Sequence, residues 1–459
     1  MSRFLYPTIL FISIFSPSTK CHYERSDDKC FCELTGKVED CCCDVETVNN
    51  LNKEVYPQIL ELVKQNYFKF YKVNLERACP FWHDDWTCSL KDCTVQTCEE
   101  EEVPAGVKGY HSKKNFNHKP NTFSKGNGKH LQYHKDQKEK CDGNNSTLGD
   151  VDVHLSEADK QAFETWQHHD DAEDSFCHPE DEFSADSKYV NLLLNPERFT
   201  NYKGESANRV WYSIYKENCF KVPNMYTEKY EASSMLNQMC LEKRVFYRVI
   251  SGMHASINTH LSAQYLFKGN GFMKPEWRPN VEEFKKRFDP ERTKGQGPSW
   301  LKNIYFLYLL VWRAVVKAGP YWQQEGFFTG NVTEDAIVKK YVGELLSQSR
   351  NCPNTFDETI LFTEEKSKSL KEEFRKKFRN ITRIMDCVGC QKCRLWGKVQ
   401  TQGIGTALKI LFSSHQFNKE SVSPTFRLKR NEIVSLFNAL GRYSSSIHYV
   451  QSFRSITKR

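Results

Sequence analysis

The sequence predicts a mainly α-helical chain: one helical body, a Cys-rich segment ahead of it and a long polar loop within it. Three observations predict this. Apolar residues recur every three to four positions in several long stretches, no comparable set of alternating strands occurs, and no fixed period repeats, which argues against a solenoid. The 459 residues, 39% of them hydrophobic, supply a substantial core. Net charge is 65 − 58 = +7, modest for the length and traceable mostly to one Lys-rich segment, so nucleic acid is not an implied partner. Eighteen Cys are too dilute for a small disulfide scaffold and far more than a cytosolic enzyme usually carries, which points to an oxidising compartment.

Residues 1–20 carry Arg3, an apolar run from Phe4 to Phe15, and small or polar residues after it, the pattern of a secretory signal peptide. The other strong apolar run, Ile304 to Trp312, spans roughly 14 Å as a helix, about half a hydrocarbon core, so no transmembrane segment is expected and the product should be luminal or secreted. Sequons at Asn144, Asn145, Asn331 and Asn380 agree with that route. The terminal Ile456-Thr457-Lys458-Arg459 is not a KDEL-type retrieval signal.

Periodicity predicts helices from Leu51 to Phe68, Val245 to Tyr265, Leu301 to Val316, Leu370 to Met385 and Ile433 to Leu440, the third apolar on most faces and hence central. Between Glu102 and Cys141 nine Lys face only Asp136 and Glu139 beyond the acidic run Glu99 to Glu102, with few aliphatic residues. Such a segment cannot bury enough apolar area to offset its ordering entropy and reads as a solvated loop. Its four His match no tight metal-ligand spacing.

The chemical signal lies in the cysteines. Cys387-Val388-Gly389-Cys390-Gln391-Lys392-Cys393 contains a C-x-x-C whose sulfurs can alternate between dithiol and disulfide, and a helix N-terminus with Lys392 and Arg394 nearby favours thiolate. Cys88-x4-Cys93-x4-Cys98 lies in a polar loop where partners can exchange with little backbone cost. Two other readings stand beside redox chemistry. Cys387, Cys390 and Cys393 could supply three zinc ligands, which leaves a fourth to be found, and all eighteen Cys could be inert staples of a non-enzymatic secretory protein. Spacing alone offers no electron acceptor: Gly403-Ile404-Gly405 lacks the third Gly and the preceding strand of a dinucleotide motif.

Five long stretches, however, resemble the endoplasmic reticulum oxidoreductins, the flavin-linked protein thiol oxidases of the secretory pathway. They are CFCELTGKVEDCCCDVET from Cys30, YKVNLERACPFW from Tyr71, NLLLNPERFTNYKG from Asn191, ISGMHASINTHLSAQYL from Ile250, and RIMDCVGCQKCRLWGKVQTQGIGTALKILF from Arg383. The resemblance implies a single catalytic domain over residues 21–459, with a Cys-rich segment at 30–50, a mobile shuttle and regulatory loop at 79–141, and an FAD-binding helical core at 190–453. It places Arg198, Thr200, Trp211, Ser251, His254 and Arg287 at flavin contacts, and Trp300 where relatives carry an Arg. Arg and His can neutralise a pyrophosphate without a Gly-rich loop, and an indole face can carry a ring.

The implied activity is a relay. Cys88 and Cys93 form the shuttle disulfide, taking electrons from protein disulfide isomerase or a related thioredoxin-fold protein. Cys390 is the sulfur attacked by the shuttle and Cys393 the one beside the flavin, with dioxygen reduced to hydrogen peroxide. The setting is the lumen of the endoplasmic reticulum, with peripheral association to its membrane. Regulatory pairs Cys88 with Cys141 and Cys93 with Cys98 are implied, as are structural pairs Cys30 with Cys43, Cys32 with Cys41, Cys79 with Cys387, and Cys219 with Cys240. Cys21, Cys42, Cys177 and Cys352 remain. Cys177 has a counterpart that is usually unpaired, and an additional Cys21 to Cys42 disulfide is expected to anchor the mature N-terminus.

Overall fold

A computed structural model describes residues 32–82, 93–108, 176–177, 180, 182, 184–197, 204–220, 236, 239–267, 274–348, 356–363, 365–412 and 428–457. The signal segment, most of the polar loop, and Cys21, Cys30, Cys88, Cys141, Cys352, Asn144, Asn145, Arg198 and Thr200 lie outside the described residues.

Helix α1 spans Val45–Lys64, and Asp44 caps it by accepting a 2.8 Å hydrogen bond from the Thr47 N–H. Its apolar stripe, Val48, Leu51, Val55, Ile59 and Leu62, turns inward. A single turn, α2 (Asn66–Lys69), leads into strand β1 (Phe70–Val73), which pairs antiparallel with β2 (Lys188–Asn191) in the register Phe70 to Asn191. After α3 (Gly204–Tyr212) comes the long α4 (Leu241–Ala263), then a two-stranded ribbon of β3 (Tyr265–Phe267) and β4 (Glu276–Arg278), and α5 (Val281–Phe288).

Helix α6 (Gly297–Lys317), with Pro298 in its first turn, is buried on nearly every side and forms the axis of the molecule. On it pack α4, α5, α7 (Gly319–Gln324), and two later helices, α10 (Gln391–Phe412) and α11 (Arg430–Thr457), while α8 (Val332–Gln348) lies against α1 and α7, and α9 (Glu365–Ile384) against α4 and α10. Two helix crossings depend on glycine. A Cβ on Gly252 of α4 would lie 2.4 Å from the Asn303 carbonyl of α6, and one on Gly403 of α10 would lie 2.4 Å from the Ser435 carbonyl of α11. Gly403, unsuited to a dinucleotide loop, is a packing glycine instead.

The fold is mainly α, as the periodicity predicts, but one helix boundary differs greatly. The helix expected at Ile433 to Leu440 runs on to Thr457. Ser435, Ser445 and Ser446 are accommodated in it by turning their hydroxyls back onto the carbonyls of Asn431, Gly441 and Arg442 at 2.5, 2.8 and 3.0 Å. Helix α1 from the front of the chain also belongs to the body, since Asn52 bonds Ser444 on α11 through both side chain and backbone.

Candidate active site

The C-x-x-C stands at the start of α10, where Cys393 occupies the first turn and Cys390 precedes it. The turn before it, Met385–Cys387, is pinned covalently: Cys387 is joined to Cys79, 308 residues away in sequence, with Cα atoms 4.5 Å apart. That bridge removes Cys387 from any zinc site. Buried ion pairs fix the same turn from below. Lys398 Nζ on α10 lies 2.5 Å from both Asp386 Oδ1 and Glu180 Oε1, and Arg383 lies 2.7 Å from Asp386 Oδ2. Burial opposes the charge on Glu180, but Lys398 and Arg77 outweigh it and hold the carboxyl below its usual range. Arg394 completes the frame by donating to the carbonyls of Val388 and Leu75.

Cys390 and Cys393 are both buried, and Cys393 Sγ donates to Cys390 Sγ at 2.7 Å. This hydrogen bond is the largest influence on Cys390; the Cys393 backbone N–H and the Lys392 ammonium add to it, and together they draw its thiol below the ordinary value despite burial. Within the pair, Cys393 is the donor and Cys390 the sulfur whose ionisation is favoured.

A strap carrying Cys93 lies directly over this pair. Cys93, itself in a disulfide, is buried and packs in one cluster with Cys390, Cys393 and Val388. The strap is held along its length. Val95 N–H donates to Gln391 Oε1 (3.1 Å), Gln96 exchanges two hydrogen bonds with the Asn195 side chain (2.7 and 2.8 Å), and Cys98 N–H reaches the Tyr189 carbonyl (2.8 Å). Cys98 is a thiol, raised by burial and the nearby Glu102, so the Cys93–Cys98 pair is not formed in this state.

Beneath the dithiol is a cleft of about 550 Å3, counting space open to solvent. Cys390, Cys393, Gly397 and Gln400 line one side, with Met385 and Val388; Val210, Trp211, Ile214 and Met253 line the other. Of the flavin contacts the resemblance implies, Trp211 faces this cleft. His254 stacks on Trp211 at 3.6 Å and 14°, accepts or donates at Nδ1 with Tyr215 (3.1 Å), and is pushed down to about 3 by burial and by Arg287. Arg287 is buried, bonded to Asn258 and Glu283, with its Nε lacking a partner. Ser251 accepts from Asn303 at 2.9 Å. Trp300 sits in the core at the start of α6 and does not line the cleft. Sequence reasoning missed Gln391, Gln400 and the apolar wall; the helical phase i, i+4, i+7 from Cys393 would have found Gln400.

Several cysteine pairings differ from expectation. Cys32 and Cys43 are in disulfides but Cys41 is a thiol, so Cys32 is not joined to Cys41. Cys32 Sγ faces Thr457 Oγ1 on α11, whereas Cys41 is driven far up by burial and by the Asp40 carboxylate, which is itself held by Arg244 and Arg248. Cys42 is an exposed thiol, which overturns the expected Cys21–Cys42 disulfide: its side chain points to solvent. Cys219 and Cys240 are thiols too. Cys219 is buried and pushed up to about 12 by desolvation, while Cys240 is exposed as the N-cap of α4. Cys177 is buried with its Cβ 2.6 Å from where a Cβ on Gly405 would lie.

Of the sequons, Asn331 is exposed, its Oδ1 accepting from the Thr333 and Glu334 amides at the start of α8. Asn380 is corrected. It is 2% exposed inside the bundle and donates to Asn218 Oδ1 at 2.8 Å, so the folded chain has no room for a glycan there.

A buried dithiol at a helix start, a disulfide-bonded cysteine packed on it and an apolar cleft below mark a helical oxidoreductase of disulfide chemistry. Residues 54–450 match the family described as Endoplasmic Reticulum Oxidoreductin 1 (ERO1), and the chain belongs to that family. It is 46% identical over 458 residues to the Ero1-like protein of Drosophila melanogaster (95% of this chain, 92% of the relative). It is 45% identical over 450 residues to ERO1-like protein alpha of Rattus norvegicus (94% and 93%). Among solved structures, a cysteine-to-alanine double mutant of S. cerevisiae Ero1p shares 27% identity and a TM-score of 0.56 over 90% of this chain and 97% of that one. A structure of Ero1p, described as the source of disulfide bonds for oxidative protein folding in the cell, gives 27% and 0.54 over the same shares. Membership makes this chain an oxidoreductase of disulfide formation associated with the endoplasmic reticulum. No helix among the described residues is long and apolar enough to cross a membrane.

Proposed function

We propose that this protein is an FAD-dependent thiol oxidase of the endoplasmic reticulum lumen that reoxidises protein disulfide isomerase and passes the electrons to dioxygen, yielding hydrogen peroxide. The observation that carries the reading is the packing of disulfide-bonded Cys93 on the Cys390–Cys393 dithiol, beside a cleft lined by Trp211 and apolar side chains. The residues present fit the flavin: the cleft walls are apolar, Trp211 and His254 offer ring faces, and Arg287 Nε and Gln400 Oε1 are buried polar atoms without partners. Arg198 and Thr200 would join Ser251, His254 and Arg287 in holding the phosphates and sugar. When bound, the flavin supplies a two-electron acceptor that dioxygen can reoxidise.

The chain's own residues carry the relay. Cys88 exchanges with a partner's dithiol and leaves the shuttle reduced. The Cys93 thiolate then attacks Cys390 Sγ, forming Cys93–Cys390 and releasing Cys393 as thiolate toward the cleft. Cys88 next attacks Cys93 and expels Cys390, whose lowered thiol makes it a good leaving group. The product of these two exchanges is a shuttle disulfide over a reduced C-x-x-C, and a disulfide-bonded Cys93 packed on the thiols Cys390 and Cys393 supports that order. Diversion of Cys88 to Cys141 and Cys93 to Cys98 would remove the shuttle from circulation, and Cys98 lies on the same strap. Asn331, with Asn144 and Asn145, is the candidate glycan set.

The deciding experiment uses the purified full-length chain. It should be yellow, bleach on adding thiol under nitrogen, and consume dioxygen with matching peroxide when given reduced isomerase. Colourless protein with intact disulfides would reject the reading in favour of a stapled, non-enzymatic one.

A further inference from the structure

Cys393, Gly397 and Gln400 follow the spacing i, i+4, i+7 on α10 and line one wall of the cleft in a single stripe. A rise of about 1.5 Å per residue puts the Gln400 backbone about 10 Å beyond Cys393, and long helical side chains lean back toward the N-terminus, hence toward the dithiol. Gln400 is 1% exposed, and its Oε1 is buried with no hydrogen-bond partner. The wall opposite is apolar: Val210, Ile214, Met253 and Ile257. Ser206 and Trp211 stand on the same wall, but neither bonds the amide oxygen, which is left without a partner. A buried carboxamide without a partner, in a cleft against the reacting sulfurs, marks a place where a ligand supplies the donor.

We infer that Gln400 is the polar partner of the flavin ring, pairing its carboxamide with the imide edge of the pyrimidine portion; this rests on the flavin reading above. The chemistry is complementary. That edge offers one N–H between two carbonyls, and a carboxamide offers one acceptor and one donor group side by side, so Oε1 accepts from the ring N–H while Nε2 donates to a ring carbonyl. Two parallel hydrogen bonds fix the ring's rotation in its plane, which Trp211 and the apolar wall cannot do because stacking and dispersion have little directional preference. The ring edge chosen by Gln400 then decides which ring atoms face Cys393. Gln400 also reaches the part of the ring on which negative charge gathers on reduction, so its donor group favours the reduced form.

The test is spectroscopic and uses the flavin-loaded protein, comparing wild type with Gln400→Glu, nearly the same shape, and Gln400→Leu. Both variants should stay folded and yellow, with the visible flavin band displaced from its wild-type position. In Gln400→Glu the carboxylate opposes charge on the reduced ring, and the two-electron equilibrium should move about tenfold toward the oxidised form, about 30 mV. Gln400→Leu should release FAD about tenfold more readily on mild denaturation. A loss confined to turnover, with band and equilibrium unmoved in Gln400→Glu, overturns the inference, because packing alone would leave the ring's electronics unchanged. If Gln400→Leu does not fold, Gln400→Glu decides alone. A colourless wild type would instead defeat the flavin reading and this inference with it, whereas a yellow wild type with unmoved variants defeats only the inference.

Discussion

Gln391 Oε1 accepts a 3.1 Å hydrogen bond from the backbone N–H of Val95, so the residue next to Cys390 holds the residue two beyond Cys93. The C-x-x-C and the strap that carries Cys93, 296 residues apart at this contact, are thereby clasped in register, with Gln391 Nε2 braced on Glu76 at 3.3 Å. The clasp should matter for electron transfer between the sites and not for the sites themselves. Gln391→Ala should slow isomerase-driven oxygen uptake about five- to tenfold, the effect of losing one positioning hydrogen bond. Direct oxidation of a small dithiol that reaches Cys390 and Cys393 should be unaffected, and equal losses with both substrates would show a general defect.

Cysteine replacements separate the steps of the relay. Cys393→Ala should keep FAD and lose oxygen uptake, since other segments build most of the cleft. Cys88→Ala with Cys93→Ala should block oxidation of isomerase while partly sparing small thiols. Normal oxidation of isomerase by that double mutant would disprove the shuttle assignment.

Acid should weaken the fold through two imidazoles, His260 in the core and the half-buried His254. His254 and His260 are lowered from 6.5 to about 3 and about 4, both mainly by burial. Below pH 6.5 the unfolded chain binds protons that the native chain refuses, so stability falls as pH falls, by about 1.4 kcal/mol per pH unit for each group between their folded values and 6.5. Urea midpoints measured from pH 7 to 5 should drop steadily, and His260→Gln should have a shallower slope. A flat profile would mean that both rings protonate in place.

Two glycine substitutions should move stability in opposite directions. Gly403→Ala forces a Cβ within 2.6 Å of Ala439 Cβ and should cost about 1–3 kcal/mol by prising α10 from α11. Gly343 is exposed in α8 with nothing within 4 Å of a Cβ, and Gly343→Ala should stabilise by about 0.5–1 kcal/mol. Thermal melts of both variants check the contrast, and similar melting temperatures would refute the crossing argument.

Glycan occupancy should follow burial. In protein from the secretory pathway, Asn331→Gln should remove one glycan from the intact mass, and Asn380→Gln should remove none. A glycan found on Asn380 would show that α9 is not packed as described.

The sequence by itself determined the helical class, the central α6 and the redox motif. Apolar residues at helical spacing, as in Val245 to Tyr265, report a buried face through purely local geometry, and two cysteines three apart carry their chemistry in the spacing. It also determined the family, because the long motifs around Cys30, Ile250 and Arg383 survive as contiguous strings. Only the tertiary structure decided what depends on partners far along the chain. The length of α11 was hidden because its serines satisfy themselves on the helix and are buried by α1 and α10. Asn380 reads as a sequon and is a core hydrogen-bond donor, since burial is set by what packs over α9 and not by the triplet. Gln391 and Gln400 are ordinary polar residues in sequence. One became a clasp because Val95 returns to it across 296 residues, and the Oε1 of the other stands without a partner because the side chains facing it across the cleft from α3 and α4 are mostly apolar. Local periodicity encodes which face of an element is buried; which atoms then meet is fixed when chain closure brings distant segments within a few ångströms.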